Sequence, residues 1–149
     1  MSLETKIGSH DFAPYIYAYP PTRTYVPVAD LVVKPIFSKN LNIYIHVPFC
    51  EQKCTFCGYL TVIDAKSDLQ ERYVSCITKE ILMHRSILES SHITSINFGG
   101  GTPSLLTVRQ FKKIMAALVE INPAIPETSR EVSIEATPES IENGKISAF

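Results

Sequence analysis

The sequence predicts an α/β fold with parallel strands. Two observations carry this: segments of strand and helix character alternate along the chain, and strand-like runs end in loops rich in glycine, cysteine or acidic residues. Parallel neighbours need crossover connections, so the alternation points to an α/β barrel or an open doubly wound sheet.

Residues 1–39 precede this pattern. Their tyrosine-proline texture, as in "PYIYAYPPTRTYVPV", removes backbone donors and holds the chain extended, which reads as an N-terminal strap. Its tyrosines are expected to pack, or to line a ligand cavity. Residues 40–149 form the second unit, an α/β core.

The first strand is "LNIYIHV", β-branched and aromatic over strand length, and it runs directly into a cysteine loop. A helix follows from Ser67, where Ser67 and Gln70 fit a capping box and Leu69, Tyr73, Ile77, Ile81, His84 and Leu88 recur at helical spacing. Cys76 falls within this helix and is expected to act as a small buried hydrophobe. "HITSINFGGGTPS" supplies a second strand ending in a glycine turn. Thr107 and Gln110 repeat the capping signature before a helix whose buried face is Phe111, Ile114, Met115, Leu118 and Val119. After the loop "NPAIPETSR" comes a third strand, "EVSIEA", and "TPES" opens a last helix with Thr137 as cap and Pro138 in the first turn.

Three βα units fall well short of the eight of a closed barrel, and a three-stranded parallel sheet has open edges. The expectation is a truncated, N-terminal piece of a longer protein, marginal by itself, or one completed by a partner.

With 45% hydrophobic residues, 19% charged residues and a net charge of -1, the chain gives no reason to expect nucleic acid or an acidic membrane surface as partner. No apolar run approaches the length of a membrane span and the start "MSLETKIGSH" lacks a signal-peptide core, so a cytoplasmic location is expected. Thiols stay reduced there, and clustered cysteines in such a place bind metal or do redox chemistry more often than they form disulfides.

Cys50, Cys54 and Cys57 in "YIHVPFCEQKCTFCGY" form C-x3-C-x2-C. Soft thiolates at this spacing suit zinc or an iron–sulfur cluster. A structural zinc site would need a fourth ligand, for which His46 is available. A four-iron cluster held by three cysteines would instead keep one iron open to a substrate or cofactor, the mark of a catalytic centre.

This motif, with Phe56 just before the last cysteine, resembles the signature of radical S-adenosylmethionine (SAM) enzymes. "YIHVPFC", "FGGGTPS" and "SIEATPESI" stand in the order of three motifs of the branch that contains oxygen-independent coproporphyrinogen III oxidase and its heme-chaperone relatives. The resemblance runs from Tyr44 to about Ile141, each motif at the C-terminal end of a predicted strand, where α/β folds place their sites.

The resemblance implies the first three βα units of a partial, TIM-like radical SAM barrel. It implies a [4Fe-4S] cluster on Cys50, Cys54 and Cys57, with S-adenosyl-L-methionine chelated to the open iron and cleaved by one electron to a 5′-deoxyadenosyl radical. By the same resemblance Gly100, Gly101 and Thr102 contact the methionine part of the cofactor, Glu135 holds the ribose hydroxyls, Tyr44 contacts the cofactor, Phe56 shields the cluster and packs on the adenine, and Gly58 gives the loop room. His46 lies near the cluster as a candidate catalytic residue of open role. On the residues alone, Gly99 to Gly101 make a tight turn, Glu135 a solvated strand end, and Tyr44 and Phe56 core packing. No Gly-Lys-Ser/Thr follows the glycines, which argues against a nucleoside triphosphate.

Implied partners are a small-molecule substrate, a tetrapyrrole or heme, and a low-potential electron donor. One position departs from the branch. The coproporphyrinogen-decarboxylating enzymes carry a further cysteine where this chain has Tyr59. Three readings therefore stand beside the coproporphyrinogen-oxidase-like enzyme: a heme-binding chaperone, a radical SAM methyltransferase and a zinc-binding module.

Overall fold

The computed structural model describes residues 39–129 and 131–142. The expected N-terminal strap, apart from Lys39, lies outside the described residues. Three strands, β1 (Asn40–Val47), β4 (His92–Gly100) and β5 (Glu131–Ile134), form a parallel sheet in the order β1-β4-β5. Between them come a short parallel pair, β2 (Phe49–Cys50) and β3 (Val62–Ile63), and the helices α1 (Ser67–Met83), α2 (Arg85–Ser90), α3 (Val108–Ile121) and α4 (Ile125–Thr128); α5 (Pro138–Glu142) follows β5.

The alternation in the strands decides which face is covered. Ile45, Val47, Ile93, Ile96 and Phe98 are buried in one core with Val74 and Ile81 of α1 and Phe111, Ile114 and Leu118 of α3. Phe98 and Phe111 meet with ring centroids 4.8 Å apart. The intervening positions are polar: Tyr44 pairs in register with Asn97, and Asn97 with Ser133. Ser133 Oγ donates to Asn97 Oδ1 at 2.6 Å, and Asn97 Nδ2 to Ser95 Oγ at 3.2 Å. A parallel sheet buried on both faces reads as continuous apolar strands. The polar alternation instead leaves the second face suited to a wet cavity. A register shift between Leu41 and Asn42 keeps the apolar positions of β1 and β4 aligned past Thr94.

The predicted elements are present with four differences. The first helix breaks at His84 into α1 and α2. Its capping box does not form, because Lys66 holds the extended cap conformation, Ser67 is already helical, and the Gln70 amide donates to Ala65 O at 3.3 Å. Cys76 is exposed, since the covered face of α1 is the one that carries Val74 and Ile81. The loop after α3 contains the short helix α4.

The second capping box is made in full: Thr107 Oγ1 accepts from Gln110 N–H at 3.2 Å, and Gln110 Oε1 accepts from Thr107 N–H at 2.8 Å. Gln110 is buried and its amide nitrogen also donates to Glu71 Oε1 at 2.7 Å, tying α3 to α1. Thr107→Ala is expected to cost about 1 kcal/mol, read as a lower denaturation midpoint, because it leaves Gln110 N–H without its side-chain acceptor.

Candidate metal and cofactor site

The site lies where β1, β4 and β5 end side by side. β1 leads through Pro48 into β2, whose second residue is Cys50. The glycine turn after β4 folds against this segment through Gly101 N–H to Val47 O at 2.8 Å and Thr102 N–H to Phe49 O at 2.7 Å. On the other side, Glu135 N–H donates to Phe98 O at 3.0 Å, extending the β5 ladder by one residue, and the Glu135 carboxylate accepts from Gly100 N–H at 3.0 Å.

Glycine is required here by both conformation and space. Gly100 has φ +120°, a region closed to most side chains. A Cβ on Gly99 would stand 2.8 Å from the Tyr44 ring and 3.1 Å from Glu135 Oε1; one on Gly100 would stand 2.6 Å from the His46 ring. At Gly101 it would meet Phe49 O at 2.6 Å and Cys50 Sγ at 2.8 Å. The turn is thus a packing element against the first cysteine as well as a bend.

Tyr44, His46, Cys50, Gly100, Gly101, Thr102 and Glu135 are brought together at this rim. Tyr44 Oη and His46 Nδ1 lie 3.3 Å apart. The Tyr44 phenol is held above the ordinary tyrosine range, first by loss of solvent and then by the charges of Glu135 and Tyr59. His46 is engaged with Tyr44 and packed on Gly100. The N–H groups of Gly100, Gly101 and Thr102 are all used within the protein.

The rest of the cysteine loop is open. Cys54 and Cys57 belong to a turn closed by Cys57 N–H to Cys54 O at 3.1 Å; Cys54 is exposed and Cys57 half-buried. Phe56 is 81% exposed and Tyr44 60%, so neither is a core residue. A Cβ on Gly58 would meet nothing within 4 Å. All four cysteines are free thiols. Among the described residues, no three His, Cys, Asp or Glu side chains are arranged to hold a metal ion. The donor chemistry nevertheless fits an iron–sulfur centre: three free thiols share one loop, and the first is anchored at the strand end.

Two contributors have no signal in the motifs. Tyr73 donates to His46 O at 2.8 Å and packs edge-on to Phe49, so α1 braces the end of β1. Lys53 Nζ donates to Tyr59 O at 2.5 Å and to Thr61 Oγ1 at 3.5 Å, closing the cysteine loop. Tyr73 was legible as a buried helix position, but its hydroxyl partner lies 27 residues away. Beside Tyr44 and His46, a groove of about 480 Å³ runs between β1 and α1, lined also by Tyr73, Glu80 and His84. Among the described residues no helix is long and apolar enough to cross a membrane.

No protein-family model matches the chain. It is 31% identical over 107 residues to the oxygen-independent coproporphyrinogen III oxidase of Salmonella typhimurium, covering 70% of this chain and 22% of that protein. It is 34% identical over 103 residues to the heme chaperone HemW of Buchnera aphidicola subsp. Schizaphis graminum, covering 68% and 27%. Among solved structures it resembles coproporphyrinogen III oxidase (HemN) from Escherichia coli, described as a radical SAM enzyme, with TM-score 0.53 and 26% identity over 64% of this chain and 21% of that one. The chain thus spans about a quarter of the length of the relatives it matches. With the cysteine motif, the parallel α/β sheet and these matches in agreement, the chain belongs to the coproporphyrinogen III oxidase and heme chaperone branch of the radical SAM superfamily, as an N-terminal part of it.

Proposed function

We propose that this chain supplies the cluster- and cofactor-binding part of a radical SAM enzyme acting on a tetrapyrrole. The observation that carries the reading is the meeting of Cys50, the Gly100–Thr102 turn and the Glu135 carboxylate at the ends of three adjacent parallel strands. Strand C-termini are where α/β folds assemble sites from separate segments.

Cys50, Cys54 and Cys57 would hold a [4Fe-4S] cluster, leaving one iron for the amino and carboxylate groups of S-adenosylmethionine. When bound, the cluster supplies a single electron for reductive cleavage of that cofactor, and a low-potential donor replaces it. The oxygens of the glycine turn suit the cofactor's ammonium group. Glu135, already fixed by Gly100 N–H, keeps acceptor capacity for the ribose hydroxyls. Tyr44 borders the ribose side, His46 is oriented by Tyr44, and Phe56 stands ready to shield the cluster and stack on adenine.

The test is anaerobic reconstitution with iron and sulfide, then electron paramagnetic resonance of the reduced protein before and after adding S-adenosylmethionine. A reduced-cluster signal that changes on addition is the expected result. Zinc on the thiols with no cluster formed would overturn the reading and restore the structural-metal alternative.

A second reading is favoured by Tyr59, which stands 68% exposed where the decarboxylating enzymes carry a cysteine. In that reading the protein is a heme-binding chaperone of the same branch. Heme transfer without release of 5′-deoxyadenosine would select it.

A further inference from the structure

We infer that Thr102 is a positioning residue for Cys50, its hydroxyl holding the sulfur in place and raising the reduction potential of the bound cluster; this rests on the cluster reading above. Thr102 Oγ1 donates to Cys50 Sγ at 3.7 Å, within the longer range that sulfur acceptors allow. Both ends of this contact are fixed. Thr102 is 9% exposed, its N–H donates to Phe49 O at 2.7 Å, and its carbonyl accepts from Leu105 N–H at 3.0 Å. Cys50 is held by its pairing in β2 and by Asp64 N–H donating to Cys50 O at 3.1 Å. Gly101, with no Cβ, lets the two segments approach closely enough for the bond to form.

Both donors of Thr102 are thereby spent inside the protein, on Phe49 O and Cys50 Sγ. Among the described residues, neither Cys54 nor Cys57 has a side-chain hydrogen bond of this kind, so the three sulfurs are electronically unequal. A hydroxyl donating to a ligand sulfur stabilises negative charge there and draws density away from iron. The form carrying the additional electron is favoured, and the potential rises. Cys54 and Cys57 can then close around a centre whose first ligand is already oriented.

The experiment compares the reconstituted wild-type protein with Thr102→Val, Thr102→Ala and Thr102→Ser, measuring iron per chain and the midpoint potential by redox titration followed by paramagnetic resonance. Valine removes the donor and keeps the shape; serine keeps the donor. The expected result is a more negative potential in T102V, with the ratio of reduced to oxidised cluster at a fixed potential lower by about threefold, close to 30 mV for a one-electron couple, while T102S stays at the wild-type value. If T102V does not load, T102A gives the potential. Loading only in the serine variant, with the fold of the others retained by circular dichroism, also supports the assignment. A loaded T102V or T102A at the wild-type potential overturns it, as does loss of the fold in both, which would make the role purely structural. A wild-type chain that takes up no cluster removes the parent reading itself, a result distinct from an unchanged potential in a loaded variant.

Discussion

Replacing Gly101 with alanine is expected to abolish stable cluster loading, read as iron per chain after anaerobic reconstitution, and to destabilise the fold by about 1–3 kcal/mol. The new methyl would stand 2.6 Å from Phe49 O, 2.8 Å from Cys50 Sγ and 3.0 Å from the Pro48 carbonyl carbon. Two of these are backbone atoms, so rotation of a flexible side chain cannot relieve the overlap. Moving the segment away would break Gly101 N–H to Val47 O and Thr102 N–H to Phe49 O together, and would carry Cys50 out of register with Ile63. Gly58→Ala is the comparison. Nothing lies within 4 Å of its added methyl, and its unfolding midpoint should move by less than about 0.5 kcal/mol. Equal iron loading in G101A and wild type would show that the turn and the first cysteine are not mechanically coupled.

The sequence carried the motifs but not this coupling. Periodicity was enough for α3, where Phe111, Ile114 and Leu118 are buried as spaced, and Thr107 and Gln110 make the box their types predict. For α1 the same reasoning places the first helical residue at Ser67, as found, but not the cap: Ser67 and Gln70 satisfy the pattern while the cap position falls one residue earlier, at Lys66. Cys76 was misjudged because a cysteine's preference for burial gives way to the helix face it occupies. β2 and β3 are two residues each, too short for any period, yet they place Cys50. Site residues were legible by type and order along the chain. Their bonds were not: Gly100 to Glu135 spans 35 residues and Thr102 to Cys50 spans 52, separations that only the folded sheet closes.

Glu135 carries the second large effect, and two substitutions separate its roles. In Glu135→Gln the amide oxygen can still accept Gly100 N–H, so the turn survives while the charge is lost. Hydrogen bonds to a charged group contribute about 1.5–3 kcal/mol each. If Glu135 holds the ribose diol as proposed, losing the charge should therefore weaken S-adenosylmethionine binding by roughly tenfold to a hundredfold, with iron loading and unfolding midpoint unchanged. Glu135→Ala removes the acceptor as well. Gly100 is then held at φ +120° without its anchor, and both cofactor affinity and the stability of the turn should fall. Calorimetric titration of the loaded protein gives the affinities, and denaturant unfolding gives the stabilities. Equal losses of affinity in E135Q and E135A, with equal stability, would confine Glu135 to charge recognition. A normal affinity in E135Q would instead make it a bracket for the glycine turn, and the ribose contact would have to come from elsewhere on the rim.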